Sequence, residues 1–459
     1  MVSDVAPPAN QKPTNRRWII FSLAAGTSWF LYLHRFTFGV IRPELEKEYG
    51  FTNTELDSIF ALFNLSYAAG QIPGGVICDF FGPHIFLAII IAVWSLVLPV
   101  LGLTGSITGL SAARLTFGAA QAGCYPSLAK VTRVWFPTRT RTIIQGLIAS
   151  FFGRSGGAMA SLILSSFLMG WCGLKWQTSL FLMAGGGIAF AIVFFLNCRN
   201  SPEDDPKVNE AELALIRQGE VETGDAPPVL PVSRAIRNPS LLVFVFQQFM
   251  NAGADMIYGL HLGSYFRSHH GVTDDVQFGF LLALPLFGGA CGGIAGGFIN
   301  DGLIRLTGSR RWSRTAVGFL GKFIACIFLY AAAMSDAPTT AAWLLFVTKF
   351  FSDWTQPTVW GASTDMGGRY SGTVFSIINS SGSLAGFIVP ITGGILLDRY
   401  VTETVINGET VRVTHFEPVF LLVGAMYFLS AICWFFINCT NSLDRSDERP
   451  AKQVTPAEK

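Results

Sequence analysis

The sequence is poor in charged residues and in the patterns that build metal and redox sites. Only 14% of its 459 residues are Asp, Glu, Lys or Arg, whereas soluble proteins carry roughly a quarter. Its six histidines form no H-E-x-x-H motif, and its eight cysteines form no C-x-x-C pair. No nucleophile–base set is recognisable either. We therefore expect no enzymatic activity, no metal and no cofactor.

Long apolar runs dominate instead. Hydrophobic residues make up 51% of the chain, and the mean hydropathy is +0.45. A helix needs about 20 apolar residues to cross a bilayer, and twelve segments meet this requirement. The sequence thus predicts an all-α membrane protein with twelve transmembrane helices, spans 1 to 12. Their predicted ranges are 18–40, 57–78, 85–104, 107–131, 142–168, 177–197, 239–262, 277–299, 315–334, 340–362, 371–397 and 418–438.

Polar segments divide these spans into two groups of six. The predicted parts are a tail (1–17), a six-helix half (18–197), a charged linker (198–238), a second six-helix half (239–438) and a tail (439–459). Lys and Arg are more frequent on the side of the N-terminal tail, which predicts that both termini are cytoplasmic. The integral, multi-pass chain fits a bacterial inner membrane.

A short motif recurs in the two halves. Gly74 and Gly75 precede Asp79 after span 2, and Gly296 and Gly297 precede Asp301 after span 8, 222 residues later. Parallel six-span repeats are one architecture of secondary transporters, whose substrate site lies between the halves. The recurrence therefore favours a duplicated transporter.

The motif and three longer stretches carry a resemblance to a known family. Gly75-x-x-x-Asp79-x-x-Gly82 is similar to the gating motif of the major facilitator superfamily. Phe80, Pro83 and His84 replace basic residues usual there, which predicts a weaker charged latch. The stretches RLTFGAAQAGCYPSLAKVTRVWFPTRTRTIIQGL (114–147), FGRSGGAMAS (152–161) and FSIINSSGSLAGFIVP (375–390) resemble the anion:cation symporters of that superfamily. The resemblance implies alternating access and organic-anion substrates such as hexuronates, aldonates, aldarates and aromatic acids.

Arg35 is the central candidate for binding such an anion. It shares a face of span 1 with Tyr32, and a guanidinium matches a carboxylate with two parallel hydrogen bonds. The resemblance implies that both residues line the substrate site. The alternative is an internal ion pair between Arg35 and Asp255 or Asp353.

Five further residues complete the predicted substrate site. Gln356 and Trp360 offer a hydrogen-bonding group and a flat wall, and the resemblance implies that Asn379 faces the cavity. The other two are Gln121 and Tyr258. Lys349 and Asp353, at i and i+4, can form an ion pair with each other. Small residues surround Arg154 in the sequence, which favours a structural role for it.

The coupling ion is left open by two departures from the family pattern. Proton-coupled members often carry Asp where His34 stands and Glu where Gln121 stands. His34 can take the proton role, Asp255 or Asp353 can bind H⁺ or Na⁺, or the protein can be uncoupled. Arg114 is a candidate for a substrate-binding or coupling role, or for a structural ion pair.

Together these features predict a monomeric secondary transporter that moves a sugar acid with H⁺ or Na⁺. The alternatives are an uncoupled uniporter or exchanger of another organic acid, such as an aromatic acid, and a transporter-like anion sensor. The expected partners are a small organic anion, the coupling cation and the lipid bilayer, with no nucleic acid.

Overall fold

The computed structural model places helices at all twelve predicted spans. It describes residues 12–218, 233, 235, 237–406, 409–441 and 443. The first eleven residues of the predicted N-terminal tail, much of the linker and most of the C-terminal tail lie outside the described residues. Within the linker, the structure has one short helix, Glu210–Arg217.

Seven spans are single unbroken helices. These are spans 1, 2, 6, 8, 9, 11 and 12, at Arg16–Tyr49, Asn53–Phe81, Trp176–Asn197, Asp275–Thr307, Arg310–Ala333, Ser371–Arg399 and Glu417–Phe436.

The other five spans are broken helices. Span 3 comprises Pro83–Val97 and Val100–Leu103, and span 4 comprises Ile107–Ala122 and Cys124–Trp135. Span 10 comprises Pro338–Asp353 and Gln356–Gly367, followed by the 3₁₀ turn Gly368–Tyr370. Span 5 alternates α-helix (Thr138–Gly146, Gly153–Ser161) with π-helix (Leu147–Phe152, Leu162–Trp171). Span 7 comprises Pro239–Ala254, Met256–Leu260 and Leu262–Ser264, then the π-helix Tyr265–His269.

Length and apolar composition alone identify only some of these helices as membrane-spanning. Among the described residues, seven pass this criterion: spans 3, 5, 6, 8, 9, 11 and 12. Spans 4, 7 and 10 are interrupted near their middles, and spans 1 and 2 carry more polar residues. Since polar residues inside membrane helices usually serve function, these five spans are expected to contribute to a site.

Several elements differ from the sequence prediction: spans 1, 7 and 8 run well beyond their predicted ends, to Tyr49, His269 and Thr307, and one connection forms a hairpin. Span 1 continues beyond residue 40 to Tyr49, because Ile41, Arg42 and Leu45 are buried and extend the packed face of the helix. The connection between spans 11 and 12 is an antiparallel hairpin of β1 (Val401–Ile406) and β2 (Glu409–Thr414).

Hydrogen bonds between the two halves gather at one end of the molecule, which we call the closed end. Here spans 1 and 7 finish and spans 2 and 8 begin. Arg42 donates to Ser264 Oγ across the halves at 2.8 Å. Ser165 and Ser166, at the end of span 5, donate to the carbonyls of Asp275 and Val276 at 2.9 Å. The closed end is therefore sealed by side chains from both halves.

Close backbone packing supports this seal. A Cβ atom on Gly39 of span 1 would collide with the carbonyl of Gly259 in span 7, and one on Gly263 would collide with the carbonyl of Gly39. Small residues permit such close approach of membrane helices. The two halves thus touch through the backbones of spans 1 and 7.

Candidate functional site

Arg35 lies in an aromatic pocket between spans 1, 2 and 4. Its guanidinium carbon is 5.0 Å from the ring centroid of Tyr32, 4.9 Å from that of Phe63 and 4.7 Å from that of Tyr67. Its Nε donates to Gln121 Oε1 at 3.1 Å, whereas its buried Nη2 has no hydrogen-bond partner. The stacked rings hold the cation in place and leave one donor free.

Arg114 lies beside it, in a second aromatic cage. Only 1% of its surface is exposed, and its Nε and Nη2 atoms have no hydrogen-bond partner. Its guanidinium carbon lies 4.6, 5.2, 4.7 and 5.8 Å from the ring centroids of Phe38, Phe60, Phe63 and Phe117. Arg35 and Arg114 therefore stack on the same ring, that of Phe63. Among the described residues, no carboxylate oxygen lies within ion-pair distance of either.

Gln121 holds Arg35 without cancelling its charge. Its Oε1 accepts from Arg35, and its Nε2 donates to the Leu31 carbonyl at 3.1 Å, so both ends of the buried amide are used. A glutamate here would neutralise the guanidinium, whereas the amide leaves it fully positive. The structure thus places Gln121 behind Arg35 as a positioning group.

A second charged cluster joins the halves. Arg154 of span 5 pairs with Asp353 Oδ2 of span 10. Lys349 Nζ lies 2.9 Å from Asp353 Oδ1 and 2.8 Å from Asp255 Oδ1 of span 7, so the predicted i,i+4 pair is present. Because Lys349 and Arg154 occupy both carboxylates, neither of them pairs with Arg35.

Lys322 belongs to this cluster and was missed by the sequence analysis. It is completely buried in span 9. Its Nζ donates to Asn251 Oδ1, to the Ser352 carbonyl at 2.9 Å and to Ser352 Oγ at 2.7 Å. The available signal was a lone lysine in the middle of an apolar run.

The remaining predicted substrate residues are spread along the second half. Tyr258 is buried, and its ring centroid lies 5.0 Å from Lys349 Nζ. Gln356 is half-buried, and Trp360, 37% exposed, packs edge-on against Phe375. Asn379 is exposed on span 11. Of these four, the structure brings only Tyr258 into contact with the charged cluster.

His34 points away from Arg35. It is fully buried, its Nε2 bonds the Met183 carbonyl of span 6 at 3.2 Å, and its ring lies edge-on to Phe30. A carbonyl only accepts, so Nε2 carries the hydrogen. His34 thus packs between spans 1 and 6, outside the arginine pocket.

The gating motif forms one exposed ion pair. Asp79 Oδ1 lies 2.8 Å from Lys130 Nζ, with 75% and 34% of the two side chains exposed. Exposed pairs contribute roughly 0–1 kcal/mol. Gly82 has a φ of 78°, and a Cβ atom there would collide with the Asn200 side chain. A Cβ atom on Gly75 would make an ordinary contact with Pro126.

The closed end contains a fully buried ion pair that the sequence analysis also missed. Arg42 Nη2 donates to Asp57 Oδ1 at 2.9 Å and to Asn53 Oδ1 at 3.0 Å. His261 Nε2 of span 7 lies 3.4 Å from Asp57 Oδ2. The pair therefore connects spans 1, 2 and 7 beneath the seal.

Asp398 of span 11 caps span 2 across the halves. Its carboxylate accepts from the backbone N–H groups of Asn53 (3.0 Å) and Thr54 (2.8 Å), and from their side chains at 3.0 and 2.5 Å. These are the first N–H groups of the helix, where a negative charge is favourable. One carboxylate thus fastens the second half to the first.

Asp398→Ala is expected to loosen the closed end. Losing these charge-assisted bonds should cost about 1–3 kcal/mol of the closed arrangement. Hydrogen–deuterium exchange should then accelerate in peptides covering residues 39–46 and 259–266. Asp336→Ala, which removes an exposed carboxylate of the loop between spans 9 and 10, is the control. Equal exchange in both variants would contradict the role given to Asp398.

Comparison with known proteins connects this architecture to transporters. The family model "Major Facilitator Superfamily" matches residues 24–390. The chain is 27% identical to the probable sulfoacetate transporter SauU of Cupriavidus necator, covering 94% of this chain and 96% of that one. It is 26% identical to the probable galactarate/D-glucarate transporter GudP of Bacillus subtilis (85% and 88%), and 23% identical to the hexuronate transporter of the same organism (89% and 91%).

Solved structures agree on the fold. A bacterial homologue of the human lysosomal transporter Spinster, in an inward-facing and unoccupied conformation, superimposes with a TM-score of 0.68. The superposition covers 93% of this chain and 95% of that one, at 18% sequence identity. The predicted twelve-helix, two-half architecture is therefore confirmed.

Proposed function

This chain belongs to the major facilitator superfamily, and from that premise we propose that it is a secondary transporter of a small organic anion, a sugar acid. It is an integral multi-pass membrane protein and a transporter rather than an enzyme. Relatives named for galactarate, D-glucarate and hexuronates support the substrate class, and one named for sulfoacetate widens the set of anions to be tested.

The single observation that carries the proposal is the pair of buried arginines. Arg35 and Arg114 place two cations around one phenyl ring, with free donors and no carboxylate partner among the described residues. A buried unpaired charge is costly, and an anion that accepts from these donors removes that cost. Arg114 therefore acts in the substrate pocket.

The residues around Arg35 give this pocket its selectivity. Tyr32 and Tyr67 form flat walls on the side of span 1 and span 2. Gln356, Trp360 and Asn379 supply polar and aromatic groups from the second half, which suit a hydroxylated carbon chain. Tyr258 lies beside Lys349, in the charged cluster between the halves.

Transport proceeds by alternating access between two six-helix halves, residues 18–197 and 239–438. The closed end faces the outside, and the opposite end, with both termini, faces the cytoplasm, in keeping with the distribution of Lys and Arg. The Asp398 and Arg42 contacts must break when the outside opens. The protein acts as a monomer in a bacterial inner membrane.

Uptake is coupled to a cation, H⁺ or Na⁺. The amide at Gln121 and the outward orientation of His34 leave these two positions without a proton carrier near Arg35. The charged cluster around Asp255 and Asp353 therefore supplies the coupling, because it combines buried carboxylates with an ion pair between the halves.

Uptake into proteoliposomes of the purified protein tests this proposal. The panel comprises D-galactonate, D-glucarate, D-glucuronate, sulfoacetate and benzoate, each offered with an inward H⁺ gradient, an inward Na⁺ gradient, or neither. We expect one sugar acid to accumulate only when a gradient is present. Liposomes without protein are the control.

Three other outcomes have distinct meanings. Equilibration of a sugar acid without any gradient dependence would establish an uncoupled carrier. Accumulation of sulfoacetate or benzoate alone would move the substrate class away from sugar acids. Entry of no organic anion under any condition would overturn the anion-binding role of the two arginines.

A further inference from the structure

The cluster between the halves carries one positive charge too many. Its cations are Arg154, Lys349 and Lys322, and its carboxylates are Asp255 and Asp353. Three ion pairs occupy both carboxylates, since Arg154 pairs with Asp353, and Lys349 pairs with both Asp353 and Asp255. The unbalanced charge belongs to Lys322.

The groups that accept hydrogen bonds from Lys322 are all neutral. Asn251 of span 7 and Ser352 of span 10 take its hydrogen bonds, and the ring of Tyr427 in span 12 lies 5.2 Å from its Nζ. The other charged groups that face it are Asp255, Lys349, Asp353 and, from the first half, Arg154, whereas the Tyr258 hydroxyl lies beside that of Tyr427. Lys322 is thus surrounded by charge without being paired.

Of the three cations, Lys322 is the one that can lose its proton at low cost. An arginine stays protonated in proteins. Lys349 is paired with two carboxylates, both within 3 Å. Lysine without such a partner is the cation that buried sites deprotonate, and the five-residue cluster becomes neutral when it does.

We propose that Lys322 is the proton-binding residue that couples transport to a proton gradient. This inference rests on the proposed anion transport and names the coupling ion and its site. In the step itself, the N–H bond of the ammonium breaks, the proton passes to a water molecule, and the electron pair stays on Nζ as a neutral amine. On reprotonation, water returns the proton to that pair.

The physical link between proton and anion is the charge of the cluster. Protonated Lys322 gives the cluster a net positive charge, which attracts an anion bound between the halves. A bound anion in turn favours the protonated amine, because the coupling between two ligands is reciprocal. Tyr427 connects Lys322 to this network, since its hydroxyl donates to Asp255 Oδ1 at 3.2 Å.

Two variants separate proton coupling from binding and folding. Lys322→Gln removes the charge, and Lys322→Arg keeps it permanently, so neither can cycle a proton. Both are reconstituted and assayed with D-galactonate and D-glucarate in two ways: counterflow at equal pH on both sides, and accumulation against a gradient driven by an acidic exterior. Lys175→Gln, an exposed lysine of the loop before span 6, is the matched control.

We expect both variants to retain counterflow and to lose accumulation by about tenfold or more, a typical size of coupling between sites. The wild type and the Lys175 variant should show both activities. Proton-driven accumulation in either Lys322 variant would overturn the proposal, as would loss of counterflow in both, which would make Lys322 a structural or substrate-binding residue.

The wild-type results keep the two proposals apart. Counterflow without proton-driven accumulation in the wild type would overturn the role of Lys322 and leave anion transport standing. Absence of counterflow with every acid of the panel would overturn the transport proposal itself.

Discussion

Arg35→Ala is expected to reduce the kcat/KM of organic-anion uptake by about 100-fold or more. Truncating one partner of a buried, hydrogen-bonded charge pair costs about 2–5 kcal/mol, and each 1.4 kcal/mol is tenfold. The loss is larger than that of a surface contact because three rings and Gln121 already fix the guanidinium. Initial uptake rates over a range of substrate concentrations measure the effect.

Arg35→Lys separates charge from geometry in the same assay. The ammonium keeps the positive charge but lacks the planar fork that binds a carboxylate with two parallel bonds. We expect an intermediate loss of about tenfold, seen chiefly in KM. Arg305→Ala, which removes an exposed arginine near the end of span 8, should leave uptake unchanged. Near-normal uptake by Arg35→Ala would exclude Arg35 from the substrate pocket.

Asp57→Leu is expected to be among the most destabilising single changes in the protein. It leaves the fully buried Arg42 guanidinium without its carboxylate, and breaking such a pair costs about 3–5 kcal/mol. Thermal unfolding of the purified protein in detergent should show a clearly lowered transition temperature. Scans at several heating rates are needed because large proteins commonly unfold irreversibly.

A double variant tests whether the unpaired charge is the cause. Arg42→Met combined with Asp57→Leu removes both charges, and replacing a buried pair by apolar residues is often neutral. We therefore expect the double variant to recover most of the stability lost by Asp57→Leu. If the double variant instead loses as much stability as Asp57→Leu and Arg42→Met lose separately, the pair contributes through packing and its charges are secondary.

The positions of the spans could be predicted from the sequence because each is a local property of the chain. The exceptions are instructive. Length and apolarity predict that span 1 ends near residue 40, yet the helix continues to Tyr49, with Arg42 buried beside its partner Asp57. The hairpin after span 11 had a readable signal: Asn407-Gly408 stands between two alternating runs, which is typical of a tight turn.

The candidate site was only partly predictable, because its residues meet across helices that are distant in the chain. Helical spacing placed Tyr32 beside Arg35, and charge alone singled out Arg114. Spacing within a helix carries no information on what faces it, so the Phe63 ring shared by both arginines was not foreseen. Lys322 could have been found as a lone lysine in an apolar run, but its acceptors in spans 7 and 10 could not.

The hydrogen bond between Arg42 and Ser264 joins positions 222 residues apart, the same interval as the repeated glycine–aspartate motif. Residues that are equivalent in two repeats and also touch each other lie on the two-fold axis that relates the repeats. In an exactly symmetric pair of identical copies, such a position faces itself. Two arginines there would repel, so this contact requires that the copies differ. The seal at the closed end thus depends on a difference between the halves, because Arg42 of the first half donates to a serine, not to a second arginine, in the other half.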